Sequence, residues 1–423
     1  MSFNIPAWYQ TMSSDAARRC FRTGPHVDKI FLEPSMVRYA RYRAFGVIVL
    51  VLAASGCVQE PPPPEIRIGL LALLSGVPEE TSGRPSIEGA ELAVREANEK
   101  GGIRIGGVPH PVKLIVESYD DRPDSATSVA RALVNQSKID VLMGPQFSRH
   151  AIPVAIVAED AEIPMVSPMS SSPSTTAGRR FVFRLASLDE IQGRAMGEFA
   201  AKELDARRGA VLYDVSTDYS RSLAEAFRDA FETSGGSIVA FETFARDEPL
   251  DYRARLDRIA AVDPDVLYLP NDGERVEVQI VQARERGVEA TLLGGDTWDL
   301  ERFGRLPQSD GSYIAHQWHP DLDTPEAGRF RELFAKTYGK APKITAAMTY
   351  DAVVLVLSVI ERQGSLDSLA IRDGLAATRN FTGATGTIDY ADGPDPERSV
   401  VIARISGGKN RLHRVVDLTS RAP

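Results

Sequence analysis

The chain has 423 residues, 43% hydrophobic and 25% charged, too long for one compact core and too apolar for a disordered chain. Seven basic and three acidic residues lie in 1–56, which leaves 42 basic and 55 acidic in the remainder, a net of −13 that argues against binding a phosphate backbone. Only two cysteines are present, Cys20 and Cys57, both ahead of the globular part, so neither a thiolate metal site nor a disulfide across the fold is available.

Residues 1–35 contain Pro25, Pro34, Asp15, Asp28 and Glu33 but no long apolar run, and are expected to be an upstream extension, with Met36 the true start. Arg38, Arg41 and Arg43 then precede an apolar run from Ala44 to Ala54, followed by Ser55, Gly56 and Cys57. A basic segment, a short apolar segment and a small-residue cleavage site make a secretory signal over 36–56, too short to span a bilayer stably. The ending Ala54-Ser55-Gly56-Cys57 resembles the lipobox of bacterial lipoproteins, which implies cleavage before Cys57 and acylation of its sulfur. Pro61 to Pro64 favour extended polyproline II, so 57–64 reads as a lipid anchor and a semi-rigid stalk.

From Glu65 onward, apolar strands alternate with amphipathic helical stretches. Strands are expected at 66–71, 112–116, 139–143 and 164–167, with helices at 86–100, from Asp124 or Ser125 as cap to 136, and at 151–160. A second series begins near Leu188, with helices at 190–204, 220–233, 250–261 and 273–286 and strands at 209–213, 238–244, 265–269 and 291–293. The endings Asp140-Val141-Leu142-Met143-Gly144-Pro145 and Asp265-Val266-Leu267-Tyr268-Leu269-Pro270 echo each other, as two similar lobes would. Helices at 326–338, 346–363 and 366–378 and strands at 386–390 and 399–405 complete the chain, and the apolar run 352–360 reads as a buried core helix. This alternation predicts α/β lobes with mostly parallel sheets, whose ligands bind beyond the carboxyl ends of the strands. Ser148 opens a helix after such a strand, where it serves as an N-cap, a carboxylate donor, or both.

The segments IRIGLLALLSG, EGAELAVREANEKGGI, VESYDD, VLMGPQFS, IPMVSP, FVFRLA, LLGGDTWD and AAMTYDAVVLVLSVIE occur in order across the mature body. In this series the chain resembles the type I periplasmic binding proteins of the leucine/isoleucine/valine-binding class. The resemblance implies two Rossmann-like lobes joined by a three-strand hinge: 65–186 with 318–390, and 187–317 with 391–418. It implies that the Met169 backbone and Ser171 hold a ligand's ammonium and carboxylate, that Tyr219 covers the ligand, and that Asp296 pairs with the ammonium. Asp272 stands where relatives carry an aromatic ligand contact, a polar departure that Trp298 is a candidate to offset, while Arg149 and His150 read as solvated helix residues or, beside Ser148, as partners of a second acidic group on the ligand. The implied function is capture of an amino acid, branched-chain-like or more polar, by hinge closure, for delivery to an ABC permease and its ATPase. The implied place is the outer face of the cell membrane or a periplasm-facing leaflet. Alternatives are a sensing module acting through a partner membrane protein, and an amide or organic-acid binder.

No metalloprotease, nucleophile-elbow, Walker or dinucleotide motif occurs, so neither an enzyme, a metal nor a cofactor is expected. Cys57→Ser abolishes metabolic labelling by a fatty acid if Cys57 carries the anchor; continued labelling of that variant would refute it.

Overall fold

The computed structural model describes residues 63–416 except positions 392 and 397. The upstream extension, the signal, Cys57 and most of the stalk lie outside the described residues.

The first strand is apolar along its whole length because both faces are covered. In β1 (Ile66–Leu73), Ile66, Ile68 and Leu70 face one core and Leu71 and Leu73 the other. Two short strands, β2 (Ile103–Ile105) and β3 (Val108–His110), form a hairpin turned at Gly106-Gly107, both at positive φ. With β4 (Val112–Tyr119), β5 (Val141–Met143), β6 (Met165–Ser167) and β7 (Val182–Arg184), β1 forms a parallel sheet in the order β4-β1-β5-β6-β7.

The second sheet repeats that order. It contains β8 (Arg208–Asp214), β9 (Ser237–Phe244), β10 (Val266–Leu269), β11 (Thr291–Gly294) and β12 (Tyr313–His316), in the order β9-β8-β10-β11-β12. Beyond β12 it continues antiparallel into β15 (Val400–Ser406) and β16 (Lys409–Val416), after a hairpin of β13 (Phe381–Gly383) and β14 (Gly386–Ile388) has closed the first lobe. The two echoed segments occupy the same place in each sheet. Asp140 takes the Arg67 backbone N–H onto its carboxylate at 2.7 Å, and Asp265 takes that of Arg208 at 2.8 Å, each tying the third strand of its lobe to the first. Strand order therefore reverses between β1 and β5 and between β8 and β10, which places a crevice at the carboxyl ends of both sheets.

The chain passes between the sheets three times: after β7, after β12, and between β14 and β15. Buried Arg398, on the third passage, donates to the carbonyl of Leu185 at 2.8 Å, to that of Gln317 at 3.4 Å and to that of Thr385 at 2.6 Å. Its guanidinium thus ties the third passage to the first and second.

Most expected elements are present within a few residues of the expected ends. The helix at Pro123–Gln136 is capped by neither Asp124 nor Ser125; Pro123 opens it, its fixed φ and missing N–H suiting that position. β2, β3, β7, β12, β13 and β16 were not expected as strands. Four of them span only three residues, β7 carries the buried Arg184, and β16 is a largely exposed edge with three basic residues and one histidine. Helix Ile344–Gln363 is long and apolar enough to cross a membrane by composition, but most of it is buried in the first lobe's core.

That helix packs on Arg84–Glu99 at Gly89, where an added Cβ would stand 2.1 Å from the Ala346 carbonyl oxygen. Gly89→Ala is expected to destabilise by about 1–3 kcal/mol through overpacking. A parent-like midpoint in urea unfolding would show that this contact does not constrain the two helices.

Candidate functional site

Loops at the carboxyl ends of the two sheets face each other across one cavity of about 270 Å³. All six residues singled out from the sequence line it: Ser148, Met169 and Ser171 from the first lobe, and Tyr219, Asp272 and Asp296 from the second.

On the first side, the residue ahead of helix Ser148–Asp160 is Phe147, in extended conformation, so Ser148 is the first helical residue and not the cap. Its hydroxyl oxygen accepts from the Ser170 hydroxyl at 3.0 Å and from the Ser172 N–H at 3.2 Å, and its own proton is used in neither bond. The serine loop is therefore a braced structure. Ser167 donates to the Pro145 carbonyl at 2.7 Å and accepts from the Ser170 N–H at 3.2 Å, and buried Arg184 donates to the Ser170 carbonyl at 3.2 Å. A hydroxyl and a helix N-terminus at one cavity wall form a surface suited to a carboxylate.

On the second side, β11 ends in Gly294-Gly295 for a steric reason. A Cβ on Gly294 would meet the Trp298 indole at 2.4 Å, and one on Gly295 would meet the Tyr219 hydroxyl at 2.6 Å. With neither present, Tyr219 donates to Asp296 at 2.9 Å while the Gln317 side-chain amide donates to its other oxygen at 3.0 Å. Burial pushes the Asp296 carboxyl above its ordinary value, against those two bonds. Gln317 belongs to the second passage and also accepts from the Ser187 N–H at 2.8 Å on the first, so the acid is bonded directly to the hinge.

Asp272 lines the cavity, but its carboxylate is taken up by ion pairs to Arg149 and Arg246. Arg149 and His150 are not solvated: His150 is wholly buried and its ring lies 3.1 Å from Asp121. Trp298 is a packing residue that also lines the cavity, stacked on Phe303 at 4.9 Å and donating to the Leu269 carbonyl at 3.1 Å. His316 bonds the Trp298 carbonyl and burial lowers its pKa to about 4, leaving it neutral. Among the described residues no group of three metal-ligating side chains forms.

Sequence reasoning missed Asp189, at the start of helix Asp189–Lys202. It is wholly buried, and neither carboxylate oxygen accepts a hydrogen bond among the described residues. Burial raises its pKa well above the ordinary range and the charge of Asp296 adds to that. No periodic or motif signal marks this residue, because an acid in the first helical turn looks like an ordinary helix start.

The sequence profile of the periplasmic binding protein family matches residues 65–410. The chain is 25% identical to Leu/Ile/Val-binding protein homolog 3 of Brucella melitensis biotype 1, over 78% of this chain and 88% of that protein. It is 27% identical to Leu/Ile/Val-binding protein BraC3 of Rhizobium johnstonii, over 78% and 89%. Among solved structures, the leucine-binding protein LivK of Thermotoga maritima superposes with a TM-score of 0.77 at 30% identity, over 84% of this chain and all of that one. The LivJ substrate-binding protein of Streptococcus pneumoniae, solved with isoleucine, gives 0.75 at 26% identity, over 83% and 99%.

A raised folded-state pKa at Asp189 means that the folded protein keeps a proton the unfolded chain releases near 3.8. Stability is therefore lost as pH rises above that value and levels off once the folded group ionises. Asp189→Asn is expected to gain about 1–3 kcal/mol at neutral pH, with the gain shrinking toward pH ~4. Urea unfolding at both pH values measures it; a destabilised variant at neutral pH would show that the carboxylate is a needed acceptor.

Proposed function

The chain belongs to the periplasmic binding protein family, in the type I class of Leu/Ile/Val-binding proteins, and from that premise we propose that it captures an amino acid for an ABC-type importer. The observation that carries the reading is the opposition across one cavity. Serine hydroxyls and a helix N-terminus stand on one side, and the buried acid Asp296 on the other. Those are the partners of a carboxylate and an ammonium on the same carbon.

Away from these groups the wall is mostly apolar, with Phe147, Leu300, Trp318, Pro342 and Ile344. The charge of Asp272 is neutralised by two arginines, so it does not make the chamber selective for a polar side chain. This favours a branched-chain-like ligand over a more polar one, in keeping with the isoleucine in the Streptococcus pneumoniae structure. Binding proceeds by closure of 187–317 with 391–418 over 65–186 with 318–390. The protein acts as a binder and not an enzyme, outside the cytoplasm. It is tethered through Cys57 and hands its ligand to a permease and ATPase.

A ligand at ~100 times its dissociation constant adds about 2.7 kcal/mol of stability, so a thermal-shift screen with L-leucine, L-isoleucine, L-valine and their deaminated acids ranks the candidates. Asp296→Asn then costs the best amino acid about 1.5–3 kcal/mol in isothermal titration, roughly a tenfold to hundredfold loss of affinity. Equal affinity in parent and variant, or a preference for the deaminated acids, would overturn the amino-acid reading.

A further inference from the structure

Four charges meet where the lobes approach one another beside the cavity. Asp121 follows β4 and Arg149 sits in the first turn of helix Ser148–Asp160, both in the first lobe; Arg246 follows β9 and Asp272 follows β10, both in the second. Within the first lobe, Arg149 Nε donates to Asp121 at 3.1 Å; within the second, Arg246 pairs with Asp272. Across the lobes, Arg149 donates to both Asp272 oxygens at 3.2 and 3.1 Å, and Arg246 donates to Asp121 at 2.7 Å. The signs alternate around a closed square, and every side touches two opposite charges.

We propose that this square is a latch that positions the lobes for capture and sets how much of the protein is closed. Three features support it. Each bond is made between side chains of the protein alone, so closure gains from it whichever solute is held. Each lobe's half is neutral by itself, so opening leaves every charge with a partner and strands none of them in a low-dielectric site. The members are only partly exposed, from 12% for Arg149 to 35% for Asp121, and Arg149 is further held over the Phe147 ring at 4.6 Å. Isolated exposed ion pairs contribute little, whereas a forked, partly buried network contributes more. A separate pair between the lobes, Lys343 with Asp299 at 2.8 Å, adds to the same closure.

The latch rests on the two lobes moving and not on the identity of the ligand, so its test needs none. Small-angle scattering of the ligand-free full chain measures the closed fraction at ~0.01 M salt, where screening acts over about 30 Å, and at ~1 M, where it acts over about 3 Å. The parent is expected to be more compact than Arg246→Gln at low salt and to expand toward that variant at high salt. Arg246→Lys, which keeps the charge and loses the fork, should fall between them. The closed-to-open ratio should drop about tenfold in Arg246→Gln, the size expected for charges in direct contact. Circular dichroism melting checks that the variants are folded, and Asp272→Asn replaces Arg246→Gln if the latter is not. Identical scattering of parent and variant at both salt concentrations overturns the latch, whatever the titrations with amino acids show.

Discussion

The structure depends on one buried cation at the hinge. Arg398 has its guanidinium out of water, where an unpaired charge is expensive. It is accommodated because carbonyls from 185, 317 and 385 converge on it, and burial lowers its pKa only to about 10, so it stays charged at neutral pH. The neighbouring acid Asp351 opposes that lowering while accepting the N–H groups of Ala384 and Thr385 at 2.8 and 2.7 Å. The three passages are thereby held together at one point. Gln317 and Ser187, on two of those passages, carry the constraint to Asp296 in the cavity wall.

Around that hinge the molecule separates two uses of charge. At the outer strand ends, acids are consumed in backbone ties, as at Asp140 and Asp265. At the cavity, the charge of Asp296 adds to burial in raising the pKa of Asp189, an arrangement that opposes folding and suits recognition of a cation. The glycine pair before Asp296 expresses the same priority, since it gives up side-chain packing so that Tyr219 can reach the acid.

Much of this was legible in the residues. β1, β5, β8 and β10 are apolar because parallel strands are covered on both faces, and the two echoed segments proved to be the same strand of two like sheets. Loops at strand ends line one cavity, and the six residues singled out from the sequence share it. What could not be read was which of them is free. Asp272 looked like a polar ligand contact, yet its charge is taken by Arg149, 123 positions away, and by Arg246. His150 looked solvated beside Ser148, yet it is enclosed against Tyr119, with ring centres 5.1 Å apart.

The division follows from the range of the forces. Hydrophobic periodicity and glycine or proline at element ends act over a few residues, so the sequence by itself determined the strands, the helices and the α/β class. Burial of a charge is decided by whatever the chain brings over it, and here that comes from the other lobe or from another passage of the hinge. Only the tertiary structure therefore decided that Asp189 lies without a hydrogen-bond partner among the described residues, and that Asp121, Arg149, Arg246 and Asp272 form one square.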